Sequence, residues 1–455
     1  MPFVNGQKMF IRLVVLSLGL AVLTGRAGGQ AAGGVTIDDR TRTAVVEEVG
    51  RLLIEKYIFL DAAERIRDHI DGRLRDGAYD GLDDPVLFAR TLTDDLYQAS
   101  QDRHFYVGFD PREADLVRAQ QSESEEDKRR AWEARRESDR LNNYGFRKVE
   151  NLTGNVGLVD IRYLSNAEYA GGTAAAAMNL LAGADAVIID VRDTPGGYPN
   201  MVQLLCSYFV RGTREGRTHL NTFERRFDDS VEQFWTWAYV PGPRMYDVDL
   251  YVLTSGFTGS GAEELAYNLR NLERATLVGE STGGAAHPVK SVVVENDFVM
   301  HLPEGRPVNP VSGTNWEGVG VKPHVEVPAE RAFETAYLMA LEKQLETAGD
   351  EGRRFQISWA IDGLRARLEP VSVDPAELNR YAGTYGERKI WLEDGELYYR
   401  RSGPAFRLIP LKERFFALEG LDRFRAEFVL DETGRAVELV GHYDNGMTDV
   451  SPRTE

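Results

Sequence analysis

Apolar residues recur every three or four positions through residues 37–100, a spacing that predicts amphipathic helices. Two segments carry this pattern, VVEEVGRLLIEKYIF and DDPVLFARTLTDDLYQA. The residues that share a helix face are Val46, Val49, Leu52 and Leu53 in the first segment and Leu87, Leu92 and Leu96 in the second. We therefore expect a helical N-terminal domain over residues 37–115.

The segment QDRHFYVGF, near the end of that domain, changes from helical spacing to alternation. Alternate residues fall on the two sides of a predicted strand, with Phe105, Val107 and Phe109 on one side and His104 and Tyr106 on the other. Residues 116–142 follow and are dominated by charges of both signs. This composition indicates a charged connector, most simply a solvated helix.

Between residues 143 and 343 the pattern becomes strand, glycine-rich loop and helix in turn. Continuous apolar runs such as AVIID and DLYVLT are typical of strands that are buried on both faces of a sheet. Strands of this kind alternate with helices in layered proteins. We expect an α/β core over residues 143–343 and a helical linker over residues 344–373.

Residues 374–455 show short runs of alternating apolar and polar residues, as in KIWLEDGELYY and RFRAEFVLDETGRAVELVGHY. Asp-Gly and Thr-Gly pairs separate the runs, and such pairs favour the tight turns of β-hairpins. The pattern predicts a small all-β domain at the end of the chain.

The first 31 residues have the form of a secretory signal peptide. Lys8 and Arg12 precede the apolar run LVVLSLGLAVLTG, and small residues follow it. A membrane anchor fits less well, because the run is shorter than the roughly 20 residues that a spanning helix needs. We expect cleavage, export to the periplasm or the extracellular space, and no membrane span in the mature chain.

The net charge and the cysteine content limit which partners, disulfides and metal sites the chain can have. The formal charge is −18, and removal of Lys8, Arg12 and Arg26 with the leader takes it to −21, which disfavours nucleic acid. Cys206 is the single cysteine, so an intramolecular disulfide and a cysteine metal cluster are excluded, and its apolar neighbours indicate a core position. Because no His-Glu-x-x-His or similar spacing occurs, we expect neither a metal nor a cofactor.

The segment LTSGFTGSGAEELAYNL places two serines where a strand gives way to a helix. Helical spacing begins near Ser260, and Ser260 with Glu263 has the form of a capping box, in which the serine caps the helix and the glutamate reaches back. A serine at this point also lies beside free backbone N–H groups that can stabilise an oxyanion. Spacing alone favours the cap, and it leaves open whether Ser255 or Ser260 is a nucleophile.

A second glycine-rich turn occurs in VIIDVRDTPGGYPNMVQLL, between a predicted buried strand and a helix. Gly196 and Gly197 allow the backbone to approach a ligand closely, although a simple tight turn explains them equally well. A nucleotide-binding loop is disfavoured, because the segment has neither Gly-x-Gly-x-x-Gly nor a Gly-Lys-Ser/Thr ending.

Five segments taken in order resemble the tail-specific, or carboxyl-terminal processing, serine protease family. They are QDRHFYVGF, VIIDVRDTPGG, LTSGFTGSGAEELAY, TLVGESTGG and NWEGVGVKP. The resemblance extends over about residues 45–343 and is to the branch of interphotoreceptor retinoid-binding protein and the tricorn core. It implies an α/β core with the spiral fold of crotonase and the Clp peptidase.

The resemblance also implies site residues. Ser260 matches the family nucleophile, with oxyanion donors from the N–H of Gly261 and from the turn of Gly196 and Gly197. Members with a Ser-Lys dyad carry a lysine where this chain has Ala285, so such a dyad is not expected.

The general base is implied by the histidine-using branch of the family, which resembles tricorn. His104 matches that base, and a neutral imidazole suits the transfer of a proton near neutral pH. His287 is the competitor, as a second base or a substrate contact. Glu317 matches an acidic residue that holds the histidine through an intervening serine, but Arg103 stands in place of that serine. Asp102 is an alternative support.

These features lead us to expect an exported serine endopeptidase or carboxyl-terminal peptidase that attacks peptide or protein substrates through an acyl-enzyme. The charged stretch of about 40 residues before the core is too short for the PDZ domain of classical family members. Two alternatives stand beside this expectation. One is a carrier of apolar ligands on the same fold with decayed catalysis, and the other is an esterase.

Overall fold

The computed structural model describes residues 35–102, 104–122, 124–213 and 216–455. The predicted signal peptide and Arg103 lie outside the described residues. The chain forms two compact units, each assembled from separate stretches of sequence. The first unit contains the described residues up to Arg136 together with Leu220–Phe234 and Gly284–Gly320, and the second contains the described residues of Glu137–His219, Trp235–Gly283 and Val321–Glu455.

Helices and strands alternate along most of the chain. The helices are α1 (Asp39–Lys56), α2 (Leu60–Arg75), α3 (Pro85–Ser100), α4 (Pro111–Ser122), α5 (Glu125–Leu141), α6 (Ala167–Leu181), α7 (Pro199–Phe209), α8 (Ser260–Asn271), α9 (Ala332–Thr347), α10 (Glu351–Leu368) and α11 (Pro375–Leu378). The strands are β1 (Tyr106–Phe109), β2 (Phe146–Leu152), β3 (Val156–Ile161), β4 (Ala186–Asp190), β5 (His219–Arg225), β6 (Val231–Trp235), β7 (Asp249–Thr254), β8 (Thr276–Gly279), β9 (Val289–Val293), β10 (Phe298–Pro303), β11 (Gly305–Val308), β12 (Val325–Glu326), β13 (Gly383–Tyr385), β14 (Arg388–Glu393), β15 (Glu396–Arg400), β16 (Phe406–Lys412), β17 (Phe415–Leu418), β18 (Leu421–Leu430), β19 (Ala436–Tyr443) and β20 (Thr448–Pro452).

The first unit confirms the predicted helical N-terminal region. Asp38 and Asp84 accept hydrogen bonds from amides of the first turns of α1 and α3, and so cap both helices. The apolar faces of α1, α2 and α3 pack with an antiparallel sheet of order β1-β10-β9 into one core. The expected charged connector is helical, since α4 and α5 lie between β1 and β2.

A six-stranded sheet forms the centre of the second unit, in the order β12-β8-β7-β4-β3-β2. Its strands run parallel except for β2, which pairs antiparallel with β3 at the edge. Alternate residues of β3, β4 and β7 face α9 and α10 and form a common core with them. The expected helical linker is therefore packed structure, because α10 buries Ile357, Ile361 and Leu364 in this core.

The C-terminal all-β prediction is also confirmed. Strands β13 to β20 follow one another in a single antiparallel sheet, each paired with its neighbour in sequence. The sheet encloses an aromatic core that includes Tyr381, Phe416 and Phe428. None of the described helices is long and apolar enough to span a bilayer.

The two units cut across the domain boundaries that the sequence suggested. Residues 220–234 and 284–320 were expected within the α/β core, but they belong to the first unit. Strand pairing is the physical reason, because β10 pairs with β1 along its length, as in Val107 with Met300. A strand needs a partner for its backbone groups, and that partner can lie far away in sequence.

Candidate active site

Ser260 lies at the first position of α8, directly after the loop that follows β7. Its φ is +46°, in the left-handed region that a non-glycine residue seldom occupies and that is often found at functional sites. The Ser260 backbone N–H donates to Glu263 Oε2 at 2.8 Å. The N-cap residue is Gly259, and no side chain caps the helix. Only the glutamate half of the expected capping box is therefore present, and the Ser260 hydroxyl is not used as a cap.

Glu263 is buried completely, one turn into α8. Its second carboxylate oxygen accepts a hydrogen bond from the hydroxyl of Thr282. The Thr282 hydroxyl in turn accepts from the N–H of Val321 at 2.7 Å. The carboxylate thus connects the start of α8 to two loops of the same unit, and it holds the backbone of Ser260 in its left-handed conformation.

Ser255, the other serine of the segment, is a turn residue. Its hydroxyl donates to the carbonyl oxygen of Arg192 at 2.5 Å and accepts from the N–H of Phe257 at 3.0 Å. The residue is buried, with 7% of its surface exposed. Both hydrogen-bonding functions of this hydroxyl serve the loop, so Ser260 remains as the candidate nucleophile.

The turn of Gly196 and Gly197 lies against Ser260 in the second unit. A Cβ added to Gly196 would come within 2.7 Å of Ser260 Cβ, and one added to Gly261 within 2.7 Å of the carbonyl oxygen of Gly197. The φ angles of +134° and +143° at Gly196 and Gly197 also require glycine. The two glycine-rich segments are therefore in close contact within the second unit.

The same turn is held by a short parallel bridge between Leu164 and Gly197. Leu164 donates its N–H to the carbonyl oxygen of Gly196 at 3.0 Å, and Tyr198 donates to that of Leu164 at 2.7 Å. The carbonyl group of Gly196 and the amide that follows the turn are therefore both bonded to Leu164. Backbone N–H groups beside a serine at a helix start have the character of an oxyanion hole.

His104 belongs to the first unit and lies between two carboxylates. Its Nδ1 is 2.9 Å from Asp102 Oδ1 and 3.1 Å from Glu317 Oε1, and its backbone N–H donates to Asp102 Oδ1 at 2.9 Å. Burial of the ring opposes its protonation, but the neighbouring carboxylates outweigh burial and raise the pKa of His104 to about 10. Glu317 therefore contacts His104 directly, without the intervening serine of the family pattern.

Asp102 provides the second support, as the sequence allowed. Burial disfavours its ionised form, but hydrogen bonds with His104 outweigh burial and hold the pKa of Asp102 well below its usual range. The hydroxyl of Tyr57 donates to Asp102 Oδ2 at 3.0 Å. Burial and the charge of Asp102 raise the pKa of Tyr57, so the phenol stays protonated and can donate. Sequence reasoning missed Tyr57, because its spacing after the apolar residues of α1 indicates only a core position.

His287 completes the cluster of the first unit. Glu317 Oε2 accepts from the backbone N–H groups of Ala286 and His287 at 2.9 and 3.0 Å, which fixes the loop that carries the ring. His287 Nδ1 lies 3.6 Å from Glu317 Oε2 and 3.9 Å from Asp102 Oδ2. The His287 ring packs against Phe59, with centroids 5.7 Å apart. Asp102, His104 and His287 together form a group of side chains that could hold a metal ion.

Cys206, the single cysteine, is a core residue. It lies on α7, is fully buried, and makes no disulfide. Burial raises the pKa of its thiol, so the reactive thiolate is disfavoured. Its expected position in the core is thus observed.

Comparison with known proteins identifies the family. The sequence profile of peptidase family S41 matches residues 155–327, and that of the N-terminal domain of peptidase S41 in eukaryotic IRBP matches residues 36–141. The first match contains the Ser260 segment and the second contains the His104 segment. Peptidase family S41 is thus the family that the chain matches in both segments, and the prediction of a serine-type peptidase is confirmed at the level of the family.

Three of the solved structures that are similar to this chain match different shares of its length. The photosystem II D1 C-terminal processing protease is 21% identical, with a TM-score of 0.33, over 38% of this chain and 43% of its own length. A lipoprotein from Streptococcus agalactiae is 11% identical, with a TM-score of 0.41, over 67% of this chain and 96% of its own. The tricorn protease is 13% identical, with a TM-score of 0.41, over 72% of this chain and 37% of its own. This chain thus matches less than half the length of the two proteases.

Proposed function

We propose that this chain is an exported serine peptidase that hydrolyses peptide bonds through an acyl-enzyme. Ser260 is the nucleophile, His104 is its general base, and the N–H groups of Gly261 and of the turn at Gly196 and Gly197 are the oxyanion donors. The start of α8 carries the proposal, because Ser260 has a left-handed backbone, an amide held by Glu263, and a hydroxyl that does not cap the helix.

The reaction would begin with attack of the Ser260 hydroxyl oxygen on the peptide carbonyl carbon, as its proton passes to Nε2 of His104. The carbonyl oxygen becomes an anion and receives hydrogen bonds from the oxyanion donors. The C–N bond then breaks, the leaving amine takes the proton from His104, and an ester remains on Ser260. Water attacks this ester by the same route, which releases the acid and restores the serine.

The surroundings of His104 support its role as the base. Asp102 and Glu317 both face Nδ1. When the ring is neutral, Nδ1 therefore keeps the proton and Nε2 presents its lone pair, which is the tautomer that a general base needs. The carboxylates also stabilise the imidazolium that forms during attack.

Labelling with a fluorophosphonate probe tests the nucleophile. The wild-type chain should react, and Ser260→Ala should lose the label because the attacking hydroxyl is gone. Ser255→Ala is the matched control, since that hydroxyl bonds within its own loop, and it should keep the label. Full labelling of Ser260→Ala would place the nucleophile elsewhere.

Peptide turnover tests the reaction. The wild-type mature chain should cleave casein or a peptide library, whereas His104→Ala should fall to background. Equal background turnover in both chains would contradict the peptidase and favour the carrier of apolar ligands. Activity on nitrophenyl esters without peptide cleavage would instead favour an esterase.

The proposal also covers the export of the chain and the way in which peptides reach the site. Export rests on the leader sequence, and N-terminal sequencing of the mature protein from the host should begin near residue 32. An uncleaved N-terminus in the cytoplasm would contradict it. Helices α4 and α5 occupy the stretch between β1 and β2. We propose that peptides reach the site without a PDZ domain.

A further inference from the structure

The His104 cluster contains two imidazoles and two carboxylates, a set of donors that the proposed hydrolysis does not need in full. All four side chains belong to the first unit, and both histidines are buried, with 6% and 5% of their side chains exposed. One histidine would be enough as the base, and one carboxylate would be enough to orient its ring and to stabilise the imidazolium. The second imidazole, of His287, has no role in that chemistry.

The distances among these donors fit a small metal ion. In a tetrahedral zinc site with bonds of about 2.0–2.2 Å, neighbouring donor atoms are about 3.4 Å apart. His104 Nδ1 lies 2.9 and 3.1 Å from oxygens of Asp102 and Glu317, and His287 Nδ1 lies 3.9 and 3.6 Å from their other oxygens. Asp102, His104 and His287 each offer one ligand atom within 4.8 Å of the other two, a spacing from which side-chain rotation can bring them onto one ion.

An unused nitrogen provides an independent sign of a ligand. Among the described residues, His287 Nδ1 is buried and has no hydrogen-bond partner, although it faces Asp102 and Glu317. A buried polar atom without a partner is costly, by about 1–3 kcal/mol. Coordination of a cation would satisfy this nitrogen and neutralise the facing carboxylates.

We propose that Zn²⁺ binds to Nδ1 of His104, Nδ1 of His287 and a carboxylate oxygen of Asp102, with Glu317 beside the site to balance its charge. Imidazole and carboxylate are common ligands of zinc, and three protein ligands with one water fill its preferred tetrahedral shell. The ion would be held by the first unit alone. It is a regulatory ligand and takes no part in hydrolysis.

Zinc at this position has a chemical consequence for the base, and this step depends on the proposed function. A neutral imidazole has one N–H and one lone pair. Zinc uses the lone pair of His104 Nδ1, so the remaining proton must be on Nε2, which then cannot accept the proton of Ser260. The zinc-bound chain is therefore an inhibited form that a chelator reactivates.

Binding is tested on a chain that cannot catalyse. Ser260→Ala is treated with EDTA, freed of the chelator and titrated with Zn²⁺ by isothermal calorimetry, with the expectation of one ion per chain. Adding His287→Ala should weaken binding by more than about 100-fold, since loss of even an outer partner of a ligand costs about 10- to 100-fold. His301→Ala is the matched control, because that half-exposed histidine pairs with Glu113 outside the cluster, and its affinity should be unchanged.

The outcomes separate this site from the proposed function. No binding to Ser260→Ala, or equal binding to the His287→Ala and His301→Ala chains, overturns the zinc site. Thermal melts check that each variant is folded, and His287→Gln replaces His287→Ala if the latter does not fold. Peptide turnover by the wild type should fall with Zn²⁺ and return with EDTA. Turnover that is unaffected by saturating Zn²⁺ overturns the inhibition, whereas absent turnover in EDTA-treated enzyme with intact zinc binding overturns only the peptidase.

Discussion

The backbone N–H of Ser260 donates a hydrogen bond to the buried carboxylate of Glu263 at 2.8 Å. This bond occupies the amide of a residue whose backbone is in an unfavourable conformation, with φ at +46°. Non-glycine residues in that region persist only where their surroundings hold them. Glu263 is therefore a positioning residue for the proposed nucleophile, although it need not touch the substrate.

Replacement of Glu263 by alanine should lower both stability and activity. The amide of Ser260 would lose its partner, and a buried group left without one costs about 1–3 kcal/mol. We expect the free energy of unfolding, measured with urea, to fall by about that amount. Turnover should fall with it, mainly through kcat.

Glu346→Ala is the control for that change, because Glu346 is an exposed residue of α9 in the same unit. Glu263→Gln should recover part of the loss, since an amide oxygen can still accept from Ser260. Equal stability of Glu263→Ala and Glu346→Ala would contradict the positioning role.

Gly196→Ala should abolish turnover. The new methyl group would lie 2.7 Å from Ser260 Cβ, and φ of +134° is unfavourable for alanine. The turn would have to move away from Ser260, with loss of the proposed oxyanion donors, whose removal costs about 100- to 1,000-fold in kcat. Steady-state kinetics on a peptide substrate measures this effect.

The matched control is Gly172→Ala, within α6. An added Cβ there meets nothing within 4 Å, and alanine is favoured over glycine inside a helix by about 0.5–1 kcal/mol. This variant should retain full turnover with slightly raised stability. A Gly196→Ala chain with wild-type kinetics would exclude the turn from the site.

Peptidase activity should increase with pH on the alkaline side. The groups that face His104 are Asp102, Glu317 and the ring of His287, with Tyr57 behind Asp102. A pKa of about 10 leaves the His104 ring protonated at neutral pH, so the fraction that can accept a proton grows as pH rises towards 10. The profile of kcat/KM against pH should therefore have an alkaline limb, in which kcat/KM rises with pH up to about 10.

Glu317→Gln should move that limb to lower pH. Removing one negative charge beside the ring makes the imidazolium less favourable, so the pKa of His104 falls. Activity near neutral pH should then exceed that of the wild type. An unchanged limb in Glu317→Gln would show that another group titrates.

The same shift predicts how stability depends on pH. Because the pKa of His104 is higher in the folded chain than its ordinary value of 6.5, the ion pairs stabilise fully below about pH 6.5 and are lost as pH rises through about 10. Asp102 behaves in the opposite sense, since its pKa is lowered, and its contribution disappears on acidification. Thermal melts of the wild type and His104→Gln over this range should converge at high pH.

Tyr57→Phe should alter the pH profile with little change in packing. The ring remains in the core, but Asp102 loses the hydrogen bond of 3.0 Å from the hydroxyl, which is worth about 1.5–3 kcal/mol for a charged acceptor. We expect lower stability and a displaced alkaline limb. Tyr97→Phe, at an exposed tyrosine of α3, should change neither property. Identical profiles for the two variants would leave Tyr57 as a packing residue only.

Much of the local structure could be predicted from the sequence. The helical spacing of α1 and α3, the apolar runs of β4 and β7, and the alternation of the C-terminal strands all depend on residues within one turn or one strand. The two glycine-rich turns could also be predicted, because the backbone freedom of glycine depends on the residue itself. The order of short motifs also indicates Ser260 and His104 as site residues.

The tertiary structure decided which of the candidates meet. Spacing favoured Ser260 as a helix cap, yet the structure leaves its hydroxyl out of the cap and uses the hydroxyl of Ser255 within its loop. The sequence positions of the clustered residues do not indicate that their side chains meet. The cluster consists of Tyr57, Asp102, His104, His287 and Glu317. Those residues come from the end of α1, from the segment before β1 and from two later loops, so their convergence depends on how distant strands pair.

The sequence by itself therefore determined the elements, the class of core and the short motifs, because periodicity and turn chemistry act between neighbours. Only the tertiary structure decided the composition of the units and the carboxylates around His104. Pairing of β1 with β10 brings Gly284–Gly320, a late stretch of the family match, into the first unit. Contacts of this kind are set by burial and strand pairing across the whole chain, which no local pattern encodes.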